Sequence, residues 1–258
     1  MNTIDENAEQ LAEGTLLSHL VELRSRLLKI CGSWLLVFVC LVPFANKLFE
    51  IVSAPMVAEL NAPPIATGPA SPLLTPFILT AYLSLFIAMP IVLYQIWAFI
   101  APGLYRKEKR FAIPLFVTSV VLFYAGLAFA YAIVFPLIFS FFTATTPAGV
   151  DYQPDIRQFL DFALTIILAF GIAFEVPIAV VLVTWTGLTT PEKLAKGRPY
   201  VFLGAFVVGM FLTPPDMISQ TLLAIPVYLL FEAGIIMSRI FAKPKAEEEE
   251  EKVGAEEA

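Results

Sequence analysis

Residues 159–186 read FLDFALTIILAFGIAFEVPIAVVLVTWT. At about 1.5 Å of rise per residue this run, as a helix, outreaches a bilayer core of about 30 Å. Five more apolar runs lie around it, near 27–45, 73–101, 111–142, 199–212 and 217–238. Four of the six are long enough to cross. The 14 residues between Arg198 and the break Thr213-Pro214-Pro215 reach only about 21 Å. The uncharged part of the last run, 15 residues between Asp216 and Glu232, reaches about 22 Å. The expected fold is therefore all-α: a polytopic membrane protein of six transmembrane helices, the fifth and sixth short. Two neighbouring short spans predict a locally thinned bilayer or a wet recess on that flank.

Composition agrees. Of 258 residues 59% are hydrophobic and 15% charged, with a mean hydropathy of +0.81, which excludes an ordinary soluble domain. The net charge of −6 says little about partners, because seven of the 22 acids fall in residues 246–258. That Glu-rich end reads as a disordered tail, 243–258, behind a membrane domain of 15–242 and a polar N-terminal segment of 1–14. The first fifteen residues are polar and acidic, so no cleavable signal peptide is expected. Cys31 and Cys40 share one apolar run and read as small packing residues.

Basic residues orient the spans. Arg24, Arg26 and Lys29 precede the first; Arg106, Lys107, Lys109 and Arg110 follow the second. Lys193, Lys196 and Arg198 follow the fourth, and Arg239, Lys243, Lys245 and Lys252 follow the sixth. The other side holds Lys47 and Arg157, a split of 14 to 2 that predicts both termini in the cytoplasm. Pro43, Pro76, Pro90, Pro114, Pro136, Pro177 and Pro226 lie in or beside the spans, so a curved, concave bundle is expected.

The polar residues are few. Leu16, Leu20, Leu23, Leu27 and Ile30 recur at helical spacing, with Ser18, Glu22, Ser25, Arg26 and Lys29 opposite, the pattern of an interfacial amphipathic helix. Glu22 has two readings: a pair with Arg26 four residues on, or an exposed acceptor for an incoming guanidinium. Glu108 is the one acid among four bases in the second loop, on the same membrane face as Glu22. Arginine's planar fork suits such carboxylates better than lysine does. Glu175 stands mid-span, where an acid must face the bundle interior, a wet recess or a polar partner. Gln95 reads as interhelical glue, Asp216 as the cap of the sixth helix, and Glu232 as reaching toward Arg239. His19 is the sole histidine, and no metal cluster, nucleotide loop or nucleophile motif occurs. No catalytic residue and no cofactor are expected. An intramembrane hydrolase lacks its residue pair. A proton-coupled small-solute transporter would need a chain of buried ionisable groups beyond Glu175.

Five segments, in order, resemble one family. They are Ser18-His19-Leu20-Val21-Glu22-Leu23-Arg24-Ser25-Arg26-Leu27, Ser53-Ala54-Pro55, residues 94–105 from Tyr94 to Tyr105, Phe170-Gly171-Ile172-Ala173-Phe174-Glu175-Val176-Pro177, and Leu212-Thr213-Pro214-Pro215-Asp216. They resemble TatC, the signal-peptide receptor of the twin-arginine translocase, over about residues 15–242. The resemblance implies a receptor in the bacterial inner membrane that binds twin-arginine signal peptides of folded precursors, driven by the proton gradient. It implies that Glu22 and Glu108 take the arginine pair, with Arg24 and Phe99 beside them, and that the peptide's apolar stretch runs toward Glu175. It implies single-span partners of TatA and TatB type docking at Met210, Thr213 and Gln220, and several copies in one complex. Pro55 and Asp216 carry over as structural residues on the far side. Membrane lipids are expected neighbours, and nucleic acid is not.

Overall fold

The computed structural model describes residues 2–57, 64–100, 112–147, 153–212 and 217–241, with side chains left out at 2–19, 55, 56, 112 and 241. Helix α1 is Asn2–Leu41, leading through a short 3₁₀ turn, Val42–Phe44, into α2, Ala45–Val57. Then come α3 (Ser71–Ile100), α4 (Ala112–Phe129), a π-helical turn (Ala130–Val134) and α5 (Phe135–Thr145). The second half holds α6 (Ile156–Ala173), α7 (Val176–Trp185), α8 (Pro191–Lys196), α9 (Arg198–Leu212) and α10 (Met217–Phe241). Among the described residues, five helical stretches are long and apolar enough to cross a membrane: Leu20–Ala54, Ser71–Ile100, Ile113–Thr145, Ile156–Trp185 and Met217–Ile240. The sixth apolar helix, α9, has 15 residues, or about 22 Å.

That corrects one expectation. The sixth run is not short: α10 has 25 residues and passes through Glu232 without a break. Glu232 ends the uncharged stretch but not the helix: Arg198 forks onto its carboxylate, and α10 continues for nine more residues.

The prolines explain the interruptions. A proline has no N–H for the carbonyl four residues back. Pro177 would address Ala173, and α6 ends there. Pro136 would address Ala132, and the helix widens into its π turn around that residue. Pro76 and Pro90 interrupt nothing in α3, nor does Pro226 in α10.

The chain divides into two compact units, Met1–Val120 with Asp151–Asp161, and Val121–Val150 with Phe162–Ala258. In the first, α3 buries Thr75, Thr80 and Ser84, whose hydroxyls donate to carbonyls one turn back at 2.6–2.7 Å. Where lipid offers no partner, such bonds keep hydroxyls satisfied within one helix. Trp34 Nε1 donates to the Ala81 carbonyl at 3.1 Å and ties α1 to α3.

The same unit holds a clip. Ile65 and Asp155 form an isolated bridge, with Ile65 N–H on the Pro154 carbonyl at 3.1 Å and Ile156 N–H on the Ile65 carbonyl at 2.8 Å. The Asp155 carboxylate accepts from Thr67 Oγ1 at 2.6 Å and Thr67 N–H at 2.8 Å. Its other oxygen caps α6 through the Arg157 and Gln158 amides. The Thr67 hydroxyl, then its amide, hold the carboxyl at about 2, below the ordinary 3.8. A lowered carboxyl pKa adds stability above the ordinary value and loses it as pH falls through the folded one. The clip is thus indifferent to pH near neutrality and opens between about 4 and 2. Asp155→Asn is expected to speed amide exchange at Thr67 by about tenfold, the scale of one charge-assisted bond. Hydrogen-exchange mass spectrometry over residues 64–67 checks it, and unchanged protection there rejects the clip.

In the second unit Phe123, Phe135, Phe139 and Phe170 are fully buried. Phe129 packs on Phe170 and Phe174 at centroid distances of 5.5 Å, and Phe139 meets Phe162 at 5.9 Å. Val180 of α7 with Phe231 and Ile235 of α10 form a further core.

Candidate functional site

Helical spacing places Glu22 and Arg26 one turn apart on α1. Arg26 donates to Glu22 Oε1 from Nε at 3.0 Å and from Nη2 at 2.7 Å. Its remaining nitrogen, Nη1, donates to Gln95 Oε1 on α3 at 3.3 Å. Gln95 is buried, while the Arg26 and Glu22 side chains keep 21% and 36% of their exposure. The carboxylate therefore has a solvent-facing side and a guanidinium already on it. Phe99, one turn beyond Gln95, is half-buried. Arg24 is exposed; two residues from Glu22, it points well around the helix from the pair. Glu108 lies outside the described residues. Of the two readings open for Glu22, the pair with Arg26 is the one formed, on Oε1. Gln95 is the interhelical contact its position suggested.

Glu175 stands at the seam between α6 and α7. Phe174 and Glu175 form the turn, with the Glu175 amide on the Ile172 carbonyl at 3.0 Å and its own carbonyl accepting from Ala179 at 2.9 Å. The residue is half-buried and its Oε1 fully so. Beside the seam an apolar groove of about 380 Å³ opens, lined by Ala169, Ala173 and Val176 with Val201 and Val208 of α9 and Val227 of α10. On the same flank Met210 is exposed, and Gln220 passes close to Gly209, where an added Cβ would lie 3.7 Å from the Gln220 Cα. Thr213 and Asp216 lie outside the described residues, as does the Pro55 side chain; the Pro55 backbone belongs to α2.

One polar contact was misassigned from sequence. Glu232 does not reach for Arg239. It takes Arg198 in a two-pronged fork, Nε to Oε1 at 2.6 Å and Nη2 to Oε2 at 2.8 Å. The partners are 34 residues apart, beyond any local spacing rule. The basic residues flanking α9 were read only as orienting charges.

A family model described as Sec-independent protein translocase protein (TatC) matches residues 18–226. The chain belongs to the TatC family. Similar TatC proteins include that of Azotobacter chroococcum, 57% identical over 222 residues (85% of this chain, 87% of that one). The TatC of Haemophilus influenzae is 53% identical over 250 residues, covering 96% and 95%. The fold resembles a crystal structure of the twin arginine translocase receptor TatC, with a TM-score of 0.78 and 37% identity over 86% of this chain and 98% of that one. Membership in the TatC family makes this a multi-pass membrane protein of a protein-translocation family, a transport component.

Proposed function

We propose that this chain is the receptor subunit of a twin-arginine translocase, and that it binds twin-arginine signal peptides of folded precursors at its cytoplasmic face. One observation carries the reading: Glu22 already holds a guanidinium through two N–H···O contacts while keeping a solvent-facing side. A carboxylate that accepts an internal arginine is chemically fit for an external one. Glu108, on the same face by the order of the spans, takes the second arginine of the pair. Phe99 and Arg24 border the site. The 14-to-2 split of basic residues supports cytoplasmic termini in the bacterial inner membrane.

The peptide's apolar stretch runs toward Glu175. The flank of α9 and α10, with Met210, Thr213 and Gln220, receives single-span helices of TatA and TatB type. The proton gradient drives transport, several copies share one complex, and Pro55 and Asp216 serve the far side structurally. Residues 15–242 form the working membrane body between the polar segment 1–14 and the acidic end 243–258.

The test is photo-crosslinking from a peptide with a reactive group beside its two arginines. Glu22→Gln and Glu108→Gln are each expected to weaken capture by about tenfold, the scale of one charge-assisted pair. Undiminished capture by the double variant rejects the assignment.

A further inference from the structure

We infer that Arg26, clamped by Gln95, is a built-in competitor on the recognition carboxylate, against which an incoming arginine must compete for Glu22. The inference rests on the proposed receptor reading and adds the regulation of that same site. Three observations carry it. Arg26 places Nε and Nη2 on a single oxygen, Glu22 Oε1, at 3.0 and 2.7 Å. Its third nitrogen is held by a residue of another helix, Gln95 Oε1 at 3.3 Å. Gln95 is buried and fixed on α3, so it turns a flexible surface pair into an oriented one.

An i, i+4 pair between exposed side chains is ordinarily worth little, because two long chains lose rotamer freedom to hold it. Here the buried clamp restricts Arg26 in advance, so the pair persists at the mouth of the site. Both partners stay accessible enough for exchange, at 21% and 36% exposure. The arrangement sets a threshold. A single basic side chain from a passing protein meets a carboxylate already neutralised and a guanidinium that repels it. A ligand that brings two arginines at once, one for Glu22 and one for a second acid, outcompetes the one internal arginine. Gln95 and Arg26 are then positioning residues, setting occupancy without touching the ligand.

A competitor of this kind lowers the affinity of every ligand by one factor. Its removal raises affinity without changing preference. The full chain in lipid nanodiscs, titrated with a labelled peptide of two adjacent arginines followed by a moderately apolar stretch, gives the measurement. Arg26→Gln is expected to tighten binding by about fivefold, the exchange equivalent of an exposed ion pair. Gln95→Leu is expected to tighten it by about twofold, because losing one long hydrogen bond from Arg26 loosens the pair without removing it, and to add nothing once Arg26→Gln is present. A matched peptide with two lysines should gain by the same factors. Weaker or unchanged binding in a monodisperse Arg26→Gln sample overturns the inference, as does a change in the arginine-to-lysine ratio, which would mean that Arg26 contacts the ligand. Arg26→Lys, with its charge kept and its fork lost, serves as the second variant and should fall between parent and glutamine. Glu22→Gln separates the two readings. If it leaves binding unweakened, the placement of an arginine on Glu22 fails, and the inference with it; if it weakens binding while Arg26→Gln gives no gain, only the self-occupancy idea fails.

Discussion

Valine at Gly126 is expected to leave little folded protein. An added Cβ there would stand 2.6 Å from the Phe170 carbonyl oxygen and 3.0 Å from the Gly171 Cα, both backbone atoms of α6. Backbone cannot rotate away as a side chain can, so α4 and α6 must separate. Separation uncovers Phe123 and Phe170, which are 1% exposed. Small residues are how membrane helices approach closely when lipid gives no hydrophobic drive for association. Overpacking costs about 1–3 kcal/mol, and a backbone clash belongs at or above the upper end. Gly171 is the graded control: its added Cβ meets Phe123 Cε2 at 2.7 Å and Leu127 Cδ2 at 2.9 Å, side-chain and not backbone atoms. Gly32 is the neutral control, with nothing within 4 Å. Melting in detergent, followed by near-ultraviolet circular dichroism, should rank alanine variants as Gly126 worst, Gly171 next and Gly32 unchanged or improved. Parent-like melting of Gly126→Ala rejects the close crossing.

That crossing marks a limit of sequence reading. Hydropathy located the long spans because a 30 Å core demands about twenty apolar residues wherever the chain crosses it. The contact of Glu22 with Arg26 was legible because helical geometry makes residues four apart neighbours. Gln95 was legible because an amide in an apolar span needs a partner on another helix. Nothing local, however, joins Thr67 to Asp155 across 88 positions or Gly126 to Phe170. These are choices of packing, and the residues involved look ordinary in their own windows. Glu232 shows how the same blindness misled: an acid whose partner lies 34 residues away looked like the end of a span.

The fork between Arg198 and Glu232 yields the second large expected effect. Glu232 lies nine residues before the end of α10, so Arg198 meets it about 14 Å inside that end. A helix of 15 residues is too short to set its own depth from both membrane surfaces. The fork sets it, fixing the first turn of α9 to a point recessed along α10. Phe202, one turn on, stacks edge to face on Tyr228 at 5.6 Å and holds the same register. Both helices line the apolar groove beside Glu175, so the proposed docking flank inherits its shape from this pair. Glu232→Arg sets two guanidiniums together and Arg198→Glu two carboxylates, so each replaces attraction with repulsion at hydrogen-bond distance. Each single reversal is expected to lower the folded fraction by roughly tenfold or more, read as melting temperature and monodispersity in detergent. The swapped double variant should recover most of the loss, because the fork re-forms with its members exchanged. Recovery in the swap separates a specific pair from a mere intolerance of charge change. The same three variants test the docking flank, since a single-span partner should co-purify with the swap and not with either reversal. Single reversals that melt like the parent would show that α9 takes its depth from the lipid instead.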